Sequence, residues 1–469
     1  MRSVRAAICW IGALLLVGCQ GGVTTSPSPT IDPFLAQLAE GDAYAAAGER
    51  TAAAAAYLAA AETRPVDPTP HLRLAQLYLE WNRVTDGLAA LEVAQELGAR
   101  AAQVAPLQTA LYAAQGDWER VTTHGTVALT IDPTDVATGH RVAQAAVAQG
   151  HVSEAKAVYE AILKVNPGDA VALERLGILR AISDPAAGHA HLQSAGTPLA
   201  ADVTAALDEA SDWTTGRRLT LLGQVCARHE AWYLAIVVLT QVLDYQPVQP
   251  EALALLGHAW DQVGWPEEAY SHLETAVDLA PGSSLARSLL GIHLLEQGDP
   301  SAARPHLEAA YELDPENPAF SLYLAHLYGN LGRYDAAFIW LDEATRLAPE
   351  DVAILEAVAR FYLNHGLTTE ERSLAAAEAL IAAAPESANA HDVLGRVHHL
   401  QGSLDAAEGH LLRAAELTPR EALLHYHLGQ LYVDQDEAVK ARRAFVRAFD
   451  LATDPALRGQ IEETLSTLR

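Results

Sequence analysis

Basic side chains are scarce in this chain of 469 residues. Lys and Arg number 31 against 59 Asp and Glu, for a formal net charge of −28. Nucleic acid requires a basic footprint, so this balance argues against a nucleic-acid partner. It argues equally against the body of the protein lying on an anionic bilayer. Solubility is the plainer reason for the charge, ahead of an acidic recognition surface. Cysteine is also rare, at Cys9, Cys19 and Cys226. Loops that carry out chemistry are missing too. There is no glycine-rich phosphate loop, no nucleophile-elbow serine and no HExxH pair. No catalytic residue, cofactor or metal is therefore expected, and the chain reads as a non-enzyme. Carboxylates are plentiful but spread over solvated faces, so no catalytic pair stands out. Histidines gather late, at His391, His398, His399, His410, His425 and His427. His391 and His425 follow the repeat described next and are expected to pack between helices rather than bind metal.

A strict period fills the middle of the chain. Leu256-Gly257, Leu290-Gly291 and Leu324-Ala325 occupy one slot, and Gly264, Gly298 and Gly332 the next. Ala269, Ala303 and Ala337 follow, then Leu273, Leu307 and Leu341, then Ala276, Ala310 and Ala344. Pro281, Pro315 and Pro349 close the units. The step is about 34 residues, which indicates stacked repeats rather than one closed core. It leaves room for two helices of about 13–14 residues and two short turns. Gly257 is small where a neighbouring helix comes close. Gly264 stands where the first helix stops, and glycine tolerates the left-handed conformation there. Ala269, Leu273 and Ala276 share one face of the second helix. Pro281 ends that helix. One hairpin cannot bury its apolar face alone, so the units must stack. Half the residues are hydrophobic but only 6% aromatic, which suits such a stack and leaves no expectation of strands.

These slots resemble the tetratricopeptide repeat (TPR) family, whose pattern is a Leu-Gly pair, then an aromatic, Ala, a large apolar residue and Pro. The resemblance implies an all-α fold, a right-handed superhelix of helical hairpins with a capping helix at its C-terminal end. It also implies binding of proteins or peptide segments.

The chain begins with Arg2 and Arg5 and an apolar run from Ala6 to Val17. That is the charged region and core of a secretory signal peptide. Its end, Leu16-Val17-Gly18-Cys19, resembles the lipobox of bacterial lipoproteins. The resemblance implies that residues 1–18 are removed and that Cys19 is acylated. Arg2 and Arg5 leave with the signal, so 29 basic residues face 59 acidic ones and the formal charge becomes −30. Residues 19–33 are rich in Gly, Ser, Thr and Pro and read as a tether. Gln20 after the cysteine does not favour inner-membrane retention. Cys226 has no partner within the chain. It stands in an aromatic's slot and reads as a buried core thiol, with a reactive thiol as the alternative.

The period runs backward through Gly223, Gly177, Ala143, Thr109, Ala75 and Gly41, and forward through Gly395 and Gly429. Twelve units result. N-terminal units fill 34–182, an irregular insertion 183–215, C-terminal units 216–455 and a capping helix 456–469. Between Gly177 and Gly223 about 12 residues are extra, so the fifth unit is expected to be degenerate. A shortened, poorly defined second helix, a loop and an extra helix from about Leu199 to Ala210 are predicted there. The third unit carries Arg120 and Val121 where a small residue is expected, which puts its packing in question.

In the resembled family the first helix of each hairpin lines a concave groove. Carried over, the groove residues are His258, Asp261, His326, Asn330, Arg360, Asn364, Arg396 and His399. Counterparts in the first five units are short or apolar, among them Ala110, Val147 and Ile178, so the polar donors concentrate late. Arg360 and Arg396 should lie on the order of 10 Å apart, which suits carboxylates of an extended peptide. Glu356 and Asp392 each precede an arginine by four residues and compete as helix-surface partners. The expected function is a membrane-tethered interaction scaffold. It would face the periplasm or exterior, in envelope assembly, secretion, or pilus or exopolysaccharide machinery. The alternative is a substrate-binding or sensor subunit of an envelope enzyme complex.

Overall fold

A computed structural model describes residues 32–369 and 371–468. The expected signal peptide, Cys19 and nearly all of the tether lie outside the described residues. Among the described residues every regular element is a helix, and no helix is long and apolar enough to cross a membrane.

The helices pair into twelve hairpins and leave two helices single. The first five hairpins are α1 (Pro33–Ala47) with α2 (Arg50–Thr63), α3 (Thr69–Glu80) with α4 (Val84–Glu96), and α5 (Ala101–Gln115) with α6 (Trp118–Ile131). Next come α7 (Val136–Ala148) with α8 (Val152–Val165), and α9 (Ala170–Ala181) with α10 (Pro185–Ala195). A lone helix, α11 (Pro198–Glu209), follows. Then come α12 (Thr215–Arg228) with α13 (Trp232–Tyr245), α14 (Pro250–Gln262) with α15 (Pro266–Leu279), and α16 (Ser284–Glu296) with α17 (Pro300–Leu313). The last hairpins are α18 (Pro318–Asn330) with α19 (Tyr334–Leu347), α20 (Val352–Asn364) with α21 (Glu371–Ala383), α22 (Ala388–Leu400) with α23 (Leu404–Leu417), and α24 (Ala422–Asp434) with α25 (Ala438–Leu451). The single helix α26 (Pro455–Thr467) ends the chain. This is the all-α, TPR-type helical-hairpin solenoid that the repeat implied.

Local chemistry starts and stops these helices. Asp135, Asp169, Ser283, Asp351 and Ser387 cap first helices, each side chain accepting from a backbone N–H of the first turn. The turn after the first helix takes a left-handed residue in every hairpin but the fifth. Gly264 supplies it at φ 84°, and its N–H and that of Trp265 donate to the carbonyls of Asp261 and Trp260. The same slot holds Asn82, Glu230 and Asp436 in three other hairpins, all at positive φ. Glu230 has a Cβ to accommodate there, so its turn is strained.

Packing within a hairpin follows the small-large-small order. A Cβ at Gly291 would lie 2.5 Å from Cδ2 of Leu307, so the two helices touch through that glycine. Two hairpins reach the same density differently. In the third, Val121 is fully buried, and Gly125 stands where Leu273 stands in its hairpin. Large and small residues have changed places, which answers the question raised by Arg120 and Val121. In the fifth, the connecting turn is one residue shorter. Gly188, Leu192 and Ala195 take the small-large-small roles one position early, and all three are buried. The expectation of a poorly defined second helix is corrected: α10 is a regular 11-residue helix. A two-residue link, Gly196-Thr197, joins it to α11.

Successive first helices touch one another, as α14 does α16, α18 does α20 and α20 does α22. They therefore crowd the inside of the curve, and the second helices lie outside. Beyond α11 the stack changes direction, and α13 packs against α7 and α9, which belong to the fourth and fifth hairpins.

The last hairpin meets the first two. Arg50 donates to the carbonyls of Asp450 and Leu451, at 2.7 and 3.2 Å, where α25 has no further helical N–H to offer them. The buried carboxylate of Asp450 accepts from the backbone N–H and the hydroxyl of Thr51. Trp81, 1% exposed, donates its indole N–H to the Phe449 carbonyl at 3.2 Å and meets that ring edge-on. Arg458 of α26 donates to the Trp81 carbonyl at 2.8 Å. The terminal helix covers α25 through Ile461, which is fully buried. It caps the stack at a seam between the two ends, not at a free end.

Candidate functional site

The inner face of the C-terminal arm, from α14 to α24, is a lane of polar side chains paired across hairpins. Asp261, at the end of α14, faces His293 of α16, with Nδ1 2.8 Å from Oδ1 and both side chains buried. Glu296 lies one helical turn beyond His293. Burial raises its carboxyl above the usual range, and the charge of Asp261 adds to that. Next come His326, edge-on to Phe361 at 5.7 Å between centroids, and His365. Burial lowers the pKa of both imidazoles, and the charge of His365 adds to that at His326. Further along, Glu356 accepts from Arg360 at 2.7 Å and from Asn389 of α22 at 3.5 Å. Asp392, 2% exposed, holds His427 Nδ1 at 2.6 Å and lies 3.9 Å from Arg396. His399 meets Asp434 at 2.7 Å.

The groove residues named from the sequence, His326 apart, fall into four groups. Asp261 and His399 are held by residues of the following hairpin, His293 and Asp434. Arg360 and Arg396 are held by the carboxylates four residues before them. Arg396 is largely buried, and its pKa falls through burial and through the nearby charge of Arg360, so the two cations do share one stretch of the lane. Asn330 and Asn364 stand exposed at the ends of α18 and α20. His258 is half-buried and set edge-on to Trp232 at 5.4 Å, within reach of the Asp261 charge.

Sequence reasoning missed His293, Asp434 and the bridging role of Asp392. The signal was present: the three cross-hairpin pairs are separated by 32, 35 and 35 residues. A carboxylate and a histidine one repeat apart lie on adjacent first helices.

The N-terminal arm offers a different site. The turn before α13 enters its inner groove and closes off a cavity of about 220 Å³ against α7, α8 and α9. Tyr233 accepts from the Trp118 indole N–H at 3.1 Å and fixes that turn. His140, Gln144, Tyr159 and Arg175 line the cavity beside Trp232 and Tyr233. His140 Nε2 is held by Asp169 at 3.0 Å, and Arg175 Nε faces Glu174 at 3.2 Å. Burial pushes the Tyr159 hydroxyl up to about 12. Ala110, Val147 and Ile178 are buried in this arm, Val147 against the cavity. Sequence reasoning missed the polar members of this cavity, although His140 and Gln144 stand one turn apart on α7.

Among the described residues, no group of three or more His, Cys, Asp or Glu is placed to hold a metal. Cys226 is fully buried, and burial pushes its thiol up to about 12, which disfavours the nucleophilic thiolate.

Comparison with known proteins agrees with the hairpin pattern. Residues 294–361 match one family model described as tetratricopeptide repeat, and residues 142–183 and 371–422 match another. No curated protein matches the sequence. Among solved structures, the chain is similar to yeast Tom70 at 17% identity and TM-score 0.45, over 93% of this chain and 95% of that one. It is similar to pilF of Pseudomonas aeruginosa at 16% identity and TM-score 0.36, over 46% and 97%. MamA of Desulfovibrio magneticus RS-1, from its residue 41 to its end, is similar at 24% identity and TM-score 0.32, over 36% and 94%. The chain contains tetratricopeptide repeats, and proteins built of them are in general scaffolds for protein–protein interaction.

Proposed function

We propose that this protein is a lipid-tethered scaffold of the bacterial cell envelope, anchored through Cys19. It holds protein or peptide segments in the inner lane of its C-terminal arm, in envelope assembly, secretion, or pilus or exopolysaccharide machinery. The observation that supports the lane is the run of paired charges from Asp261 to Asp434. His293, Arg360, Arg396, His399 and His427 each sit beside a carboxylate that a ligand's own carboxylate could replace. Arg360 is the more exchangeable anchor. Its pair with Glu356 is partly exposed, and such pairs contribute only about 0–1 kcal/mol. Asp392 is buried and doubly engaged, so Arg396 is less free.

The test is Arg360→Glu with Arg396→Glu in the full chain, checked first for unchanged helicity and melting. Partners crosslinked to a photoreactive residue at Asn364 in membranes should be lost from the variant. Equal capture by both proteins would defeat the lane. Separately, Cys19→Ala should block processing or release the protein from membranes, and unchanged partitioning into detergent would defeat the anchor.

The cavity at α13 favours a second reading, a sensor or substrate-binding subunit of an envelope complex. A space of about 220 Å³ is small for a drug-sized ligand, though it is lined by aromatics and a few polar groups as ligand sites are. A small acid seated on Arg175 would raise the melting temperature of the wild type but not of Arg175→Met.

A further inference from the structure

The outer face of α25 concentrates basic charge in an acidic molecule. The helix carries Lys440, Arg442, Arg443 and Arg447 against a single carboxylate, Asp450, which is buried in the seam. The corresponding helix α15 carries Glu267, Glu268, Glu274 and Asp278 and no Lys or Arg. Lys440 is taken by Glu437 and Glu408. Among the described residues, Arg442, Arg443 and Arg447 pair with no carboxylate, and neither does the exposed Arg420 at the start of the same hairpin. Between the arginines stand two valines in the open: Val439 is 78% exposed and Val446 42%. Ala438, Val439, Arg442, Arg443 and Val446 form one shallow, continuous surface. The positive charge extends to the seam, where Arg50 feels both Arg420 and Arg447.

Unpaired guanidiniums set around exposed aliphatic side chains suit a phosphate-rich interface with an apolar layer beneath it. Helix α26 already covers the side of α25 that a further hairpin would use, so this face is not an unfilled repeat contact. The charge of the rest of the body does not cancel it, because screening confines each surface charge to about 8 Å at physiological salt.

We propose that the outer face of α25 docks on an anionic phospholipid surface and lays the seam end of the molecule against the membrane. This rests on the anchor reading, and the seam is what links the two. A Cβ on Gly48, the residue after α1, would lie 3.7 Å from the Arg447 guanidinium. Helix α1 has 15 residues, so its first residue lies about 22 Å from the seam at 1.5 Å per residue. From Cys19 to Asp32 there are 13 residue steps, which reach up to about 45 Å when extended. A lipid on Cys19 can therefore sit in the same bilayer surface that α25 touches. An acidic protein would satisfy the arginines too, but the tether gives it no advantage, whereas it holds a bilayer permanently within reach.

The experiment uses the full-length protein, purified from membranes and reconstituted into vesicles of phosphatidylcholine alone or with added phosphatidylglycerol. Val439→Cys is labelled with an environment-sensitive fluorophore, and Ile339→Cys on the outer face of α19 serves as the control. Emission from position 439 should shift to the blue and rise several-fold on anionic vesicles only. Position 339 should not respond, and adding Arg442→Glu with Arg443→Glu should abolish the response at 439. Equal emission on both vesicle types, or a response that survives the arginine changes, would overturn the proposal. So would a rise with soluble polyglutamate and none with vesicles, which would give the face to an acidic protein. The parent protein without an added cysteine reads the anchor independently. Cys226 is buried and an acylated Cys19 is blocked, so uptake of label there would defeat the anchor while leaving the response at 439 to be judged by itself.

Discussion

The hairpins between Pro250 and Leu347 and the stretch between Pro185 and Tyr245 are built from the same slots and behave differently. In the first, each hairpin repeats its predecessor, and the inner lane stays open. In the second, a turn one residue shorter and an added helix change the direction of stacking. The start of α13 is thereby carried into the groove of α7 and α9. Hairpins built from the same slots yield one lane lined with ion pairs and another plugged by the start of α13. The geometry of a stack is therefore set by its exceptions, since each small rotation is inherited by every later unit.

The sharpest way to break this comparison is to add one methyl group to each region. At Gly188 a Cβ would lie 2.7 Å from the Gly177 carbonyl and 2.8 Å from the Ala181 Cα, neither of which can move aside. At Gly291 it meets the end of the Leu307 side chain, which can. Overpacking should cost about 3 kcal/mol for Gly188→Ala and about 1 for Gly291→Ala, read from denaturant titrations. Equal costs would mean that the short hairpin is no tighter than the others. Next in size is the plug. Trp118→Ala should cost about 2 kcal/mol and Tyr233→Phe about 1, through lost packing and a lost hydrogen bond. Hydrogen exchange in α7 and α13 should rise together, and protection unchanged in α7 would show that α13 does not hold it.

Acid should then separate the two arms. Burial lowers the pKa of His258, His272, His306, His326, His365 and His410 in the C-terminal arm, against His71 and His124 in the N-terminal one. A lowered imidazole binds its proton more readily in the unfolded chain. Stability is therefore full above the ordinary value of about 6.5 and falls as pH drops below it toward the folded value. Exchange measured at pH about 7.5 and about 5.5 should quicken more in the C-terminal arm. Replacing His326 and His365 by Gln should flatten that difference. The smallest effect concerns one turn. Glu230→Gly removes a side chain from a left-handed position at the entry of α13 and should stabilise by about 0.5–1 kcal/mol. A loss instead would show that the Glu230 side chain supports the plug.

Much of the hairpin pattern was legible because each slot answers to its own hairpin. Gly291, Leu307 and Pro315 can be read without knowing what lies elsewhere. The third hairpin was harder, since Val121 and Gly125 exchange sizes and only the pair makes sense. In the fifth the shortened second helix and the extra helix after it were legible, but not the slots, because they moved by one residue and a strict period does not follow such a shift. The lane was legible as positions but not as partners, because Asp261 finds His293 on a different helix. The contacts of Arg50, Trp81 and Arg458 could not be read at all. They join residues about 400 positions apart, and their meeting depends on the summed rotation of every hairpin between them.

That meeting changes what kind of object the molecule is. A row of repeats frays, because its first and last members each lack a neighbour, and unfolding normally enters there. Here Trp81 and Asp450 make each terminus the neighbour of the other, so the row becomes a hoop with no loose end. A hoop must break somewhere before any member can peel away, and once broken it becomes an ordinary row with two vulnerable ends. The span of the inner lane is thus fixed by its clasp, and a pull on that clasp would let every hairpin shift at once.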